Sequence, residues 1–170
     1  MKVISGCQTG ADEAGLRAAH DLGIPTGGTM PKGWKTQTGP RPDWGLKYGL
    51  TEHGSSKYPP RTRDNVKEAD VTILFGDVDS SGCSLTIRYC KQNHKPYFTV
   101  PFYGHKMNVK EAANNVLEFL REHKPRVINI AGNRENTNIG VGKFTHAVLS
   151  IALKEFRQDY YDIVSFLFDE

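Results

Sequence analysis

Four short stretches concentrate the residues that could do chemistry. They are Ser5-Gly6-Cys7-Gln8-Thr9-Gly10, the run from Gly27-Gly28 to Lys32, the run from Gly76 to Ser84, and "AGNRENTNIGVG" over residues 131–142. Glycine tolerates positive φ and lets backbone amides approach a ligand with no Cβ in the way. A helix that begins just after such a loop offers unpaired N–H groups and the positive end of its dipole, which together favour phosphate or another oxyanion. The loops over residues 6–10 and 80–84 have this form, so the expectation is two anion-cradling turns, built from Gly6, Cys7, Gln8, Thr9, Gly10, Gly82, Cys83 and Ser84, facing one crevice. Neither loop is GxGxxG or a Walker sequence, so dinucleotide binding and P-loop hydrolysis have no direct support.

Other residues could join that crevice. In "PPRTRDNVKEAD", Arg61 and Asn65 stand one helical turn apart and share a face. Arginine offers a planar fork for phosphate or carboxylate, and asparagine can read a polar edge; a solvated charged face is the competing reading, and the sequence leaves both open. Asp12 falls in the first turn after the opening loop, where complementing the helix dipole is favoured over ligand contact. Lys32 in "MPKGW" could meet an anion, although an exposed loop lysine is the default. Arg134 and Glu135 read either as a surface ion pair or as a fourth wall of the crevice. The six histidines form no constellation, no CxxC or HxxxH spacing exists, and no metal site is expected. Catalytic residues are not identifiable: Ser80 and Ser81 lack a histidine partner, and Asp77 and Asp79 lack a carboxylate across the site.

These loops need elements to hold them. Residues 3–5, 24–27, 71–75, 97–100 and 127–130 are short β-rich runs, and each special loop follows one of them directly. Between them lie helical patterns: Ala14 to Leu22 with a stop at Gly23, residues 60–69, 84–92 and 109–120, and a helix from Lys143 onward. Residues 29–60, rich in glycine and proline and holding both tryptophans, read as a functional loop with one extended piece near 48–51. Strand–helix alternation with short connections predicts an α/β fold, a doubly wound, mostly parallel, Rossmann-like sheet with helices on both faces. Such sheets bind ligands beyond the carboxyl ends of their strands.

Bulk properties narrow the class. A chain of 170 residues with 38% hydrophobic and 24% charged residues suits a single globular domain, 1–170, with a helical extension from about 156 carried by Phe156, Tyr160, Ile163, Val164 and Leu167. The net charge of +3 is too small and too dispersed to imply nucleic acid or acidic lipid. Three cysteines, with no signal-peptide hydrophobic region and no apolar run long enough for a bilayer, lead to the expectation of reduced thiols and a cytoplasmic protein without membrane contact.

Four ordered blocks, "SGCQTGADEAGLRAAHDLGIPTGGTMPKG", "RTRDNVKEADVTILF", "SSGCSLT" and "VINIAGNRE", give the chain a resemblance to the molybdenum carrier-like family, a circularly permuted branch of the SLOG superfamily related to lysine-decarboxylase-like phosphoribohydrolases. The resemblance covers the chain to about residue 155. It implies a Rossmann-like fold, glycine-rich loops that bind a phosphate-bearing, nucleotide-derived ligand, and a homo-oligomer. It points to Gly6, Gln8, Thr9, Gly10, Asp12, Gly28, Lys32, Arg61, Asn65, Gly82, Ser84 and Thr86, and it suggests a molybdenum cofactor as one ligand. The family pattern carries glycine where this chain has Cys7 and Cys83, so a thiol pair facing a soft ligand was weighed against simple space-filling, which is favoured. The phosphoribohydrolases carry a glutamate where Arg88 and Tyr89 stand here.

A binding protein for a small phosphate-bearing molecule, serving carriage, sensing or sequestration, is therefore the leading expectation. A hydrolase of nucleotide N-glycosidic or phosphate bonds is the alternative, with Glu135 as a substitute acid only if the fourth loop folds inward. Single-stranded DNA binding comes third. Gly10→Val and Gly82→Val are each expected to abolish ligand binding while sparing the fold.

Overall fold

The computed structural model describes residues 1–104 and 107–168 of the chain, with side chains described as far as residue 159. Five parallel strands form the central sheet: β1 (Lys2–Ser5), β2 (Thr26–Gly27), β7 (Val71–Phe75), β8 (Tyr97–Val100) and β9 (Val127–Gly132), in the order β2-β1-β9-β7-β8. The last strand in the chain thus enters the middle of the sheet. Register follows from apolar runs: Val3 pairs with Ile128, and Ile73 with Ile130. All five residues of β7 are buried, as expected of a parallel strand covered on both faces.

The helices are α1 (Ala11–Asp21), α2 (Pro42–Tyr48), α3 (Tyr58–Glu68), α4 (Ser81–Gln92), α5 (Val109–His123) and α6 (Val141–Phe168). Helix α6 packs on α1 and α5, and α3 packs on α4. Strand β9 shows that these groups lie on opposite faces. Gly15 of α1 sits directly over Ile130, whereas the neighbouring Asn129 lines a cavity with residues of α3 and α4; successive side chains of a strand point to opposite faces. The chain runs outward from β1 to β2 in one direction and from β7 to β8 in the other, so the carboxyl ends of β1, β9 and β7 meet at the point where the winding reverses.

Residues 29–57 depart from the expected loop. They hold β3 (Thr29–Met30) paired with β6 (Thr51–Glu52), an antiparallel hairpin of β4 (Lys35–Thr36) and β5 (Gly39–Pro40), and α2. Tyr48, expected in an extended piece, ends α2 instead. That helix starts on a proline and stops at Gly49 in left-handed geometry, and seven residues are too few to show a period. Tertiary contacts fix it: the Trp34 ring covers Gly45, and the Tyr48 hydroxyl donates to Glu13 Oε1 at 3.0 Å. The apolar tail beyond residue 155 continues α6 without a break; Phe156 packs against the core, and Tyr160, Ile163, Val164 and Leu167 lie outside the described side chains. Among the described residues no helix is long and apolar enough to cross a membrane.

Candidate functional site

The opening loop leaves β1 and enters α1 through two left-handed residues, Cys7 (φ 52°) and Gly10 (φ 93°). At Gly10 only glycine fits, because a Cβ would lie 2.5 Å from the Asn133 carbonyl oxygen and 2.6 Å from the Glu135 nitrogen. Gly10→Val therefore breaks the scaffold rather than probing the site, which corrects the expectation from sequence. Gly6 makes room of another kind, for the Arg61 guanidinium lies where its Cβ would be. Gly28 packs on the backbone of Ser5 and supports the loop from behind.

Asn133 ties three of the strand-end loops together. Its Oδ1 accepts from the Asp77 N–H (2.6 Å) and from Asn138 Nδ2 (2.9 Å), and its Nδ2 donates to Ser80 Oγ (2.9 Å) and Cys83 Sγ (3.6 Å). Its carbonyl accepts from the Ala11 N–H at 3.1 Å. The loops after β1, β7 and β9 are thereby locked in one arrangement. Nothing local marks this residue beyond its place in a polar loop.

Between α3, α4 and the end of β9 lies a crevice of about 100 Å³. Gly6, Gln8, Asp12, Arg61, Asn65, Gly82, Thr86 and Arg134 of the expected set line it, joined by Tyr58 and Asn129, which sequence reasoning missed. Arg61 is 8% exposed, its Nη1 stands 3.6 Å from Asp12 Oδ2, and its Nε has no hydrogen-bond partner among the described residues. Burial pushes the Asp12 carboxyl upward against the pull of Arg61, and burial lowers Arg61 against the support of Asp12. A guanidinium keeps its proton in such a place, so the floor of the crevice carries a cation with one donor uncommitted. Gln8 donates from Nε2 to the Lys35 carbonyl at 2.9 Å, while its Oε1 has no partner among the described residues. Asn65 spends both ends of its amide on Thr29, accepting from the N–H (2.9 Å) and donating to the carbonyl (3.1 Å). Its role here is to clamp β3.

The two expected anion cradles differ. In the first, the Cys7 N–H donates to Ser5 Oγ (3.1 Å) and the Gln8 N–H to Asp12 Oδ2 (3.3 Å), so the chain's own carboxylate occupies the start of α1. In the second, Ser80 caps α4 without a side-chain hydrogen bond, its hydroxyl donating to the Asp77 carbonyl instead. Ser81 and Gly82 are exposed, and a Cβ on Gly82 would meet open space. First-turn N–H groups have no intrahelical acceptor, so the start of α4, whose Gly82 lines the crevice with Arg61 and Arg134, is the open one of the two helix starts. Thr86 Oγ1 bonds the Gly82 carbonyl (3.0 Å), and Ser84 is exposed with its hydroxyl 3.3 Å from the Val78 carbonyl.

Several expected residues stand elsewhere. Cys7 and Cys83 are sealed, 0% and 1% exposed, and neither lines the crevice. Burial raises both thiols, with Asp12 adding to the rise at Cys7, so they act as packed small residues. Lys32 is exposed and its N–H bonds the Ser55 carbonyl, away from the crevice. Thr9 turns to Gln37 Oε1 (3.1 Å) on the β4–β5 hairpin. The Glu135 carboxylate accepts from the Gly140 N–H (2.7 Å) and the Gly142 N–H (3.0 Å), complementing the start of α6. Glu135 does not line the crevice, so it does not supply there the acid that the hydrolase alternative required. Among the described residues no cluster of three or more His, Cys, Asp or Glu could hold a metal ion.

A larger cleft of about 520 Å³ lies on the other side of α1, lined by Thr9, Gly10, Glu13, Arg17, Trp44, Glu135, Gly142, Lys143 and His146. Arg17 stands 3.9 Å from Glu13 there, and both of its acids, Glu13 and Glu135, already accept hydrogen bonds. The smaller crevice has an uncommitted buried donor and an open helix start, which outweigh size.

A search of curated proteins found no match. Among solved structures, the crystal structure of a "Putative molybdenum carrier protein" from Syntrophus aciditrophicus SB is similar, with 33% sequence identity, a TM-score of 0.81, and coverage of 89% of this chain and 94% of that one. The profile of the circularly permutated YpsA SLOG family matches residues 3–153. Together with a parallel sheet whose strand-end loops close on one crevice, this shows that the chain belongs to the circularly permutated YpsA branch of the SLOG family.

Proposed function

We propose that the protein binds a small phosphate-bearing molecule, nucleotide-like or a cofactor, in the crevice between α3, α4 and β9, and holds it without turnover as a carrier, sensor or sequestering protein. The observation that supports this best is Arg61: a buried cation whose Nε lacks an acceptor among the described residues, beside an α4 terminus with no side-chain cap. An unmet charged donor inside a protein is costly, and an anionic oxygen of a ligand removes that cost. Similarity to a protein described as a molybdenum carrier and membership of the SLOG family agree with a ligand-binding role. A molybdenum cofactor fits this class through its phosphate, which Arg61 and the start of α4 would hold. The volume at the floor suits a phosphate group rather than a whole nucleotide, so the remainder of any such ligand lies at the mouth.

Native mass spectrometry of protein purified without refolding tests the reading, and the same spectrum reports whether the chain forms the expected homo-oligomer. A co-purified phosphate-bearing mass is the expected result, lost in Gly82→Val. That substitution places two methyl groups in open space at the crevice wall and leaves thermal stability within about 2 °C of wild type. Retention of the mass by Gly82→Val would move the site elsewhere.

A further inference from the structure

Tyr58 stands at the crevice with three cations around one ring. Arg134 Cζ is 4.7 Å from the ring centroid, Lys35 Nζ 5.6 Å and Arg61 Cζ 5.7 Å. They come from the β9 loop, the β4–β5 hairpin and α3, segments far apart in sequence. Of the three, Arg61 alone stands within ion-pair distance of Asp12, the one acid lining the crevice among the described residues, and Arg134 acts on that carboxyl from farther off. Lys35 and Arg134 form no ion pair among the described residues. A ring quadrupole attracts a cation by only about 0.5–1 kcal/mol at exposed sites, and three like charges within reach of one ring repel one another. The repulsion shows at Arg61, whose guanidinium Arg134 helps to destabilise.

Position divides the cations. Arg61 is on the floor, buried, next to Gly6 and the start of α4. Lys35 is exposed and Arg134 half-buried, so both belong to the mouth. The hairpin that carries Lys35 is pinned to the opening loop through Gln8 and Thr9, which fixes the lysine backbone beside the crevice.

We infer that the ligand carries two adjacent anionic groups, as in a diphosphate, one seated on Arg61 and the α4 terminus and the second held at the mouth between Lys35 and Arg134 over Tyr58. This rests on the anion reading of the crevice and adds to it the charge and reach of the ligand. A single phosphate satisfies the floor and leaves two unpaired cations outside it; a diphosphate neutralises both levels. Lys35 and Arg134 are then the residues that select diphosphates over monophosphates, and Tyr58 is a positioning residue that holds the two cations on one platform.

Calorimetric titration with inorganic orthophosphate and inorganic pyrophosphate at fixed, near-physiological salt tests the inference, since neither probe brings any other recognisable group. Wild type is expected to bind pyrophosphate at least 30-fold more tightly than orthophosphate. In the Lys35→Gln, Arg134→Gln double variant the ratio falls to within about threefold of unity. A charge-matched control, Lys91→Gln with Lys110→Gln on distant exposed helix positions, keeps the wild-type ratio. Neither altered side chain at the mouth makes a hydrogen bond among the described residues, and an unchanged melting temperature shows that the double variant is intact. Equal binding of the two probes by wild type, or a ratio that survives in the double variant, overturns the two-anion inference and leaves the single-phosphate crevice standing. Binding of neither probe, with Gly82→Val indistinguishable from wild type, overturns the crevice reading and the inference together.

Discussion

Cys7 shows what one backbone angle demands. It sits at φ 52°, fully buried, in left-handed geometry that glycine adopts most readily. A non-glycine residue in left-handed geometry costs about 1–2 kcal/mol, and the buried thiol offsets part of that by filling space between β1 and α1. Cys7→Gly removes the strain but also the packed side chain, and it loosens the unfolded chain; the terms nearly cancel, so urea denaturation at pH 7 should give a stability within about 1 kcal/mol of wild type. Cys7→Val puts a β-branched side chain into the same geometry and should lose about 2 kcal/mol or more. A valine variant as stable as wild type would mean that the loop does not hold this angle. The position was legible as unusual because a cysteine stands between Gly6 and Gln8 in a glycine-rich turn. Which way its thiol points was not, since burial depends on what α1 and β9 bring over it.

At the scale of elements, the long strand and helix patterns were readable because each repeats its own period, and β7 matches its sequence run residue for residue. The linkage of their ends was not. Asn133 meets Asp77 across 56 positions and Cys83 across 50, and no local pattern encodes such a meeting. The same holds for α2, whose hold on the body is Trp34 over Gly45 and Tyr48 on Glu13. Two substitutions in the fourth loop separate scaffold from ornament. Asn133→Ala removes acceptors and donors that serve the loops after β7 and β9 at once and should cost about 3 kcal/mol, from several bonds of roughly 1 kcal/mol each with one buried amide left unmet. Glu135→Ala removes one cap from α6 and should cost about 1 kcal/mol, while Glu135→Gln, which keeps an acceptor oxygen for only one of the Gly140 and Gly142 N–H groups, recovers only part of it. Equal costs at 133 and 135, read by chemical denaturation, would contradict the hub assigned to Asn133.

For the molecule as a whole, the placing of the final strand decides the site: β9 enters between β1 and β7, and its neighbours' loops have nowhere to close except over its carboxyl end. The same central packing encloses Cys7, Cys83 and Cys90, all reduced and all raised by burial from an ordinary value of 9.0. The consequence for pH has a definite sign. Below pH 9 folded and unfolded chains both keep the thiol protons, and stability is unaffected. As pH rises through the unfolded value, the unfolded chain releases protons that the folded chain retains, so protonated thiols no longer balance between the states and stability falls. For a thiol held protonated throughout, the loss is about 1 kcal/mol between pH 9 and pH 10, approaching 1.4 kcal/mol per further unit. Tyr48, raised by burial and by Glu13, adds to the decline only above its ordinary value of 10.0. Denaturation midpoints measured at pH 8, 9 and 10 should therefore fall over the last interval, and Cys7→Gly should reduce that fall by the share of one thiol, about 1 kcal/mol, although the two proteins match at pH 7. A parallel decline in wild type and Cys7→Gly would show that Cys7 reaches solvent, and the tight closure of the first loop over β9 would have to be abandoned with it.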